Sequence, residues 1–299
     1  MSVSIIFLIA LTPFEADKVE ISLEDGQRIV HLIGNVIIEG EETRITCAEA
    51  KISEAEGWVR LMRDVKLTDR NGVVGAGFAI YYFKDDLGYL SDSVRIVTPH
   101  EEISTDSLYY DGSRDSVEMY GSVMIRDIRN DMTVTGNRGW YNLAQDKGSL
   151  TGSPELRIMR QVKEPIIVDA VTFELHTGQD LFHGYDSVKA IIDSIIVFCD
   201  TFSYDLAKER GNMVKPRIVE NDNELTGTRG QFVLSDKQIE VMSVENGESV
   251  YYTKEGSKNH VEGDMISIMF EDGKAKTIKV DGKPKGTLSL QRSEQSAGD

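Results

Sequence analysis

Apolar and polar residues alternate along most of this chain with a period of two, as expected of strands that bury one face and wet the other. Four segments show the pattern best. HLIGNVII, RLMRDVKL, YLSDSVRI and EMYGSVMI align on Val36, Val65, Val94 and Val123, each 29 residues after the last. Around these anchors the apolar positions step by two, as in Val30, Leu32, Val36 and Ile38 or Val117, Met119, Val123 and Ile125. Two residues before each anchor stands Gly34, Arg63, Asp92 or Gly121, so a bend or narrowing is expected there. The series continues with Pro154 and Pro284 at the anchor position, and more loosely with Val188 and Pro216.

A second column lies between the anchors. ITCAEAKIS, VGAGFAIYY, ISTDSLYYD, VTGNRGWYN, IVDAVTFEL, VFCDTFSYD, LTGTRGQFV and VEGDMISIM align on Ile52, Tyr81, Tyr110, Tyr141, Phe173, Tyr204, Phe232 and Ile268. Eight units of about thirty residues result, each with two strand segments and turn clusters such as DGSRD, AQDKG and FEDGK. A unit of this size cannot bury its apolar face alone, so stacking is expected to make one continuous core over residues 17–290, with 291–299 a polar tail. The small residues Ala50, Ala79, Gly139 and Gly230 are expected to leave room beside the second column.

The repeat unit resembles that of the OstA-like (LptA) family of lipopolysaccharide-transport proteins, which also includes the N-terminal periplasmic domain of the translocon LptD. The likeness is carried by IGNVIIEG at 33–40, YGSVMIRD at 120–127 and VTGNRGWYNLAQDKG at 134–148, and by the register kept over eight units. The resemblance implies an all-β, elongated repeat β-jellyroll of the solenoid-like "β-taco" kind, with antiparallel strands in two facing sheets. It implies a non-enzymatic periplasmic protein, without cofactor, that binds lipopolysaccharide or a related glycolipid on its way to the outer membrane. Its partners would be other bridge proteins or copies of itself, joined end to end. The groove lining implied by the two columns is Val36, Ile38, Ile52, Leu61, Val65, Tyr81, Leu90, Val94, Ile96, Leu108, Tyr110, Met119, Val123, Ile125, Tyr141, Leu156, Phe173, Phe202, Tyr204, Phe232 and Ile268. A structural or adhesive β-solenoid that recruits partners along its end strands is the competing reading. A packed core with no cavity would produce the same columns.

Charge and chemistry narrow the picture. The 299 residues carry a net charge of −17, which disfavours a phosphate backbone as partner. The apolar run from Val3 to Leu11, closed by Thr12 and Pro13, is too short to span a bilayer and reads as a signal peptide over residues 1–16, cleaved near Ala16. TGNRG and TGTRG lack the lysine and the helix of a phosphate-binding loop and are taken as repeat turns. The five histidines keep no metal-ligand spacing, and the His176 and His183 pair around Asp180 reads as a solvated turn. No Ser, His and Asp set stands out, and a polysaccharide-active enzyme is disfavoured for want of clustered acids. Cys47 and Cys199 are expected to be free and buried, several units apart.

Overall fold

The computed structural model describes residues 13–289 other than 25, 41, 162, 253–256 and 272. Among the described residues every long element is a strand and every paired strand is antiparallel. The chain divides into two compact units, Met1–Ile158 with Glu174–Gln179, and Met159–Phe173 with Asp180–Asp299.

In the N-terminal unit the strands are β1 (Phe14–Glu15), β2 (Lys18–Glu24), β3 (Gln27–Glu39), β4 (Arg44–Ser53), β5 (Trp58–Thr68), β6 (Val73–Tyr82), β7 (Leu87–Val97), β8 (Glu101–Asp111), β9 (Ser116–Asp127), β10 (Met132–Asn142), β11 (Lys147–Thr151) and β12 (Glu155–Ile158). From β2 to β10 each strand pairs with the next in sequence. Each 29-residue unit therefore contributes two strands, and successive anchors sit on β3, β5, β7 and β9. One unit advances the stack by about 9.6 Å rather than one strand spacing of about 4.8 Å.

The bend expected two residues before each anchor is a pair of left-handed residues. Gly34 and Asn35, Arg63 and Asp64, Asp92 and Ser93, and Gly121 and Ser122 all have φ between +44° and +79°. Ladder pairing breaks at these points, as between Ile33 and Val36 or Met62 and Val65, and resumes beyond them. Each long strand thus creases, with its first half in one leaf and its second half in the facing leaf. The anchors occupy one leaf and the second column the other. On the returning strands the crease is flanked by the buried residues Cys47, Ala76 and Thr105, again 29 residues apart.

Both hairpin ends repeat as well. Asp69, Thr98 and Asp127 each cap a tight turn by accepting backbone N–H bonds, for example from Gly72 N at 2.8 Å and Glu101 N at 2.9 Å. At the other end Gly57, Asp86, Asp115 and Asp146 take the left-handed position, which Gly and Asp tolerate best.

The C-terminal unit holds β13 (Ile166–Asp169), the start of β14 (Thr172–His176), β15 (Leu181–Ile192), β16 (Ile195–Asp205), β17 (Arg210–Val214), β18 (Arg217–Glu220), β19 (Asn223–Thr226), β20 (Arg229–Ser235), β21 (Gln238–Tyr252), β22 (Lys258–Glu271), β23 (Lys274–Asp281) and β24 (Lys285–Thr287). Here several creases are outright breaks in the strand. Lys215 with Pro216 and Lys283 with Pro284 each place a left-handed residue before a proline, as Ser153 with Pro154 does in the N-terminal unit. Proline supplies no ladder N–H, which is why it occurs at the crease and not within a leaf. Beyond it the broken halves pair separately: β17 with β20, and β18 with β19.

Candidate functional site

Alternation turns one face of both leaves inward. Of the residues implied as groove lining, all are buried except Ile52, Ile125 and Ile268, which are half-buried. The structure brings those of the N-terminal unit together on two inward rows. Cross-strand pairs join Val30 to Ile52, Leu61 to Ala79 and Leu108 to Met119 in one leaf, and Ile96 to Ile103 in the other. Leu32, Ala50, Leu61, Leu108 and Leu156 have no accessible surface, so the leaves of this unit close on one another. Each of these leucines contributes about 1.5–3 kcal/mol by leaving water.

The room expected beside the small residues is taken by the protein's own side chains. A Cβ at Gly139 would lie 2.8 Å from Met119 Cε, and one at Gly230 would lie 2.8 Å from Met213 Cε and 3.0 Å from Pro216 Cγ. A different set of glycines accommodates the aromatic column. Gly88 lies opposite both Tyr81 and Tyr110, and Gly211 opposite both Tyr204 and Phe232. Tyr141 faces Gly148 in the same way. The spacing of seven from aromatic to glycine is visible in the sequence, although the columns alone did not reveal it. It comes from the hairpin, whose turn places those two positions opposite each other.

The column tyrosines are amphipathic. Tyr81 donates its hydroxyl to Asp86 at 2.8 Å, and Tyr141 donates to Asp146 at 3.2 Å while sharing a 2.7 Å bond with Thr177. The acceptor is the turn residue five positions on, so each ring is buried while its oxygen reaches the hairpin end. Burial, followed by neighbouring carboxylates, pushes the Tyr110 hydroxyl up to about 12. Burial also raises Tyr81, Tyr141 and Tyr204. In the C-terminal unit Phe202, Tyr204 and Phe232 form an aromatic trio with centroids 5.4–6.5 Å apart, in which Phe232 stacks on both others.

In the C-terminal unit the leaves part. A cavity of about 170 Å³ lies between Ile195, Ile218, Leu225 and Tyr251 on one leaf and Ile268, Phe270 and Ile278 on the other, with Glu220, Asn223 and Glu224 as polar lining. Of the implied groove residues it includes Ile268. The others were not found from the sequence because β18, β19 and the ends of β21 and β22 fall where the repeat blurs.

Cys47 and Cys199 are free and buried. Their thiols are raised, first by burial, Cys199 to about 12. His176 lies 3.6 Å from Glu174 Oε2, and the His183 ring stacks near Tyr185. Glu248, His260 and Glu262 bring one donor atom each within 4.8 Å of one another, but both carboxylates are exposed, and His260 Nε2 is already satisfied by Glu248 at 3.0 Å. No described helix is long and apolar enough to cross a membrane. The expected signal segment up to Thr12 lies outside the described residues. Phe14 and Glu15 pair with Ile38 and Ile37, so cleavage after Ala16 would remove β1 from the sheet.

No family model and no curated protein matches the sequence. Among solved structures the chain is similar to the crystal structure of LptH, described as the LptA homologous periplasmic component of the conserved lipopolysaccharide transport device from Pseudomonas aeruginosa. The identity is 14%, the TM-score 0.32, and the match covers 36% of this chain and 76% of that chain.

Proposed function

We propose that this protein is a periplasmic, non-enzymatic carrier of lipopolysaccharide or a related glycolipid, holding acyl chain between its two leaves. The observation that carries the reading is the parting of the leaves in the C-terminal unit. Its opening of about 170 Å³ is flanked by apolar side chains from both sheets. An apolar cavity of about 150 Å³ holds a benzene-sized guest, so this opening takes an acyl segment rather than a whole lipid. In the N-terminal unit the same rows are closed, and an acyl chain enters there only if the leaves part. Exchanging side-chain contact for acyl contact keeps the burial nearly constant, since each CH₂ contributes about 0.8 kcal/mol in either setting. Energy for directional movement comes from a partner.

A photocrosslinking residue at Ile218 or Ile268 is expected to give adducts with purified lipopolysaccharide, and weaker ones are expected from Tyr110 and Val123. Absence of adducts from every inward position would sink the proposal.

The competing reading, recruitment of partners along end strands, is favoured by β2. It pairs only with β3 among the described strands, and Val19 and Ile21 lie opposite the inward Leu32 and Val30. Yet Val19, Ile21 and Leu23 are 44%, 66% and 76% exposed, so an unfinished core row stands open beside an unpaired strand edge. β2 carries Lys18, Glu20 and Glu24, net −1, whereas β23, an edge strand among the described residues, carries Lys274, Lys276, Lys279 and Asp281, net +2. This charge pattern suits a second copy added head to tail, and it is compatible with the carrier reading. Ile21→Lys is expected to abolish concentration-dependent association in sedimentation.

A further inference from the structure

The outward face of the N-terminal unit carries a feature that neither groove nor end strands use. Across β6, β7 and β8 the residues Ile80, Tyr89 and Tyr109 are direct cross-strand partners in one row. Phe78, Ser91 and Ser107 form the row beside it. Their chain neighbours Ala79, Leu90 and Leu108 are buried, so both rows point to solvent. These six positions hold no charged side chain, in a protein of which 28% is charged. The Tyr89 and Tyr109 rings are 40% and 37% exposed.

The first row continues through Glu118 on β9 to Trp140 on β10, itself 37% exposed. The second continues to Tyr120 and Arg138. Arg138 bonds Glu118 at 3.2 Å and lies 5.1 Å over the Tyr120 ring, so the one carboxylate in the row is neutralised by its neighbour.

We propose that this face binds an uncharged sugar chain laid across the strands. A pyranose ring offers an apolar C–H face to stack on an aromatic side chain and a perimeter of hydroxyls to bond serine and tyrosine oxygens. Neighbouring platforms are one strand, or about 4.8 Å, apart, which suits successive rings of an extended chain. Size decides between this and a protein partner. From β6 to β10 the two rows cover on the order of 250 Å², taking about 4.8 Å per strand and about 6.6 Å per row. A stable protein interface needs about 800 Å² on each side. The area matches an oligosaccharide of a few rings, and the six positions on β6, β7 and β8 offer no charged group to pair with an ionic ligand.

The chain has two tryptophans, which makes the test direct. Trp58 is 7% exposed beneath the Arg60 guanidinium at 4.3 Å, whereas Trp140 is open. The full chain is titrated with cellohexaose, maltohexaose and a neutral oligosaccharide released from a glycolipid while tryptophan emission is followed. A saturable change is expected with at least one, absent in Trp140→Phe. Response to the glucose hexamers identifies a free polysaccharide as the source, and response to the neutral glycolipid-derived oligosaccharide alone identifies the sugar of a glycolipid. The double variant Tyr89→Ala, Tyr109→Ala is expected to bind at least about tenfold more weakly with unchanged circular dichroism, and the corresponding Phe pair to retain stacking. No response to any probe at millimolar concentration, or equal binding by the alanine pair, would overturn the proposal. Failure of acyl crosslinking would leave it standing, since the two faces of the sheet are separate.

Discussion

Two glycines in regular strand conformation make opposite predictions for one chemical change. Gly75 lies in β6, and a Cβ built there would meet nothing nearer than the Arg95 and Val65 carbonyl oxygens at 3.9 Å. Gly211 lies in β17, where a Cβ would collide with the Phe232 ring and lie 2.6 Å from the Ser203 carbonyl oxygen. Alanine at either site lowers the entropy of the unfolded chain, a gain of about 0.4–1 kcal/mol. At Gly75 nothing opposes that gain, so Gly75→Ala is expected to stabilise by about 0.5 kcal/mol. At Gly211 the clash involves backbone on one side and a ring held by Phe202 and Tyr204 on the other, so neither neighbour can swing away. Overpacking of this kind costs about 1–3 kcal/mol, leaving Gly211→Ala destabilised by about 1–2 kcal/mol. Urea denaturation followed by near-ultraviolet circular dichroism reads both. In the Phe232→Leu background the penalty at Gly211 should shrink, because the ring that it meets is gone. A Gly211→Ala protein as stable as the parent would refute the claim that this glycine exists to seat the aromatic column.

Three further outcomes are expected. The inward tyrosines keep their protons above the unfolded value of about 10, so the unfolded state releases protons first and stability should fall as pH rises from about 10 towards 12. The part of the tyrosinate absorbance that comes from the buried rings should then rise together with loss of near-ultraviolet dichroism, and complete ionisation of an intact fold would contradict it. Arg160, 3% exposed, clasps Asp193 at 2.8 Å and 3.3 Å. Arg160→Ala should cost about 1.5–3 kcal/mol, as for hydrogen bonds to a charged group, and less than a fully buried pair because Asp193 is partly exposed and keeps Lys163. Burial works to raise the Asp193 carboxyl, but Arg160 and Lys163 outweigh it and hold it low. The pair's contribution is therefore present above about pH 4 and lost as pH falls through the folded value, so the variant's stability should vary less over that acid range. Cys47 and Cys199, with raised thiols, should react slowly with a disulfide reagent near pH 8 and promptly in denaturant, and rapid native labelling would contradict their burial.

Periodicity alone determined the strands, the 29-residue repeat, the inward rows and the crease before each valine anchor. These follow from local rules: a period of two sorts faces, and Gly, Asp, Asn and Ser tolerate a left-handed backbone where a β-branched residue does not. Proline at the anchor marked the crease for the same kind of reason, since a missing N–H is harmless only where the ladder is already broken. Which rows oppose each other was beyond such rules, because it depends on the hairpin register that places Tyr81 against Gly88. Whether space remains between the leaves was decided by the tertiary structure alone. Gly139 and Gly230 are equally small in the sequence whether their neighbours are empty or filled, and Met119, Met213 and Pro216 fill them. The opening appears instead beside Ile268, where the repeat is least regular and side chains from distant segments fail to meet.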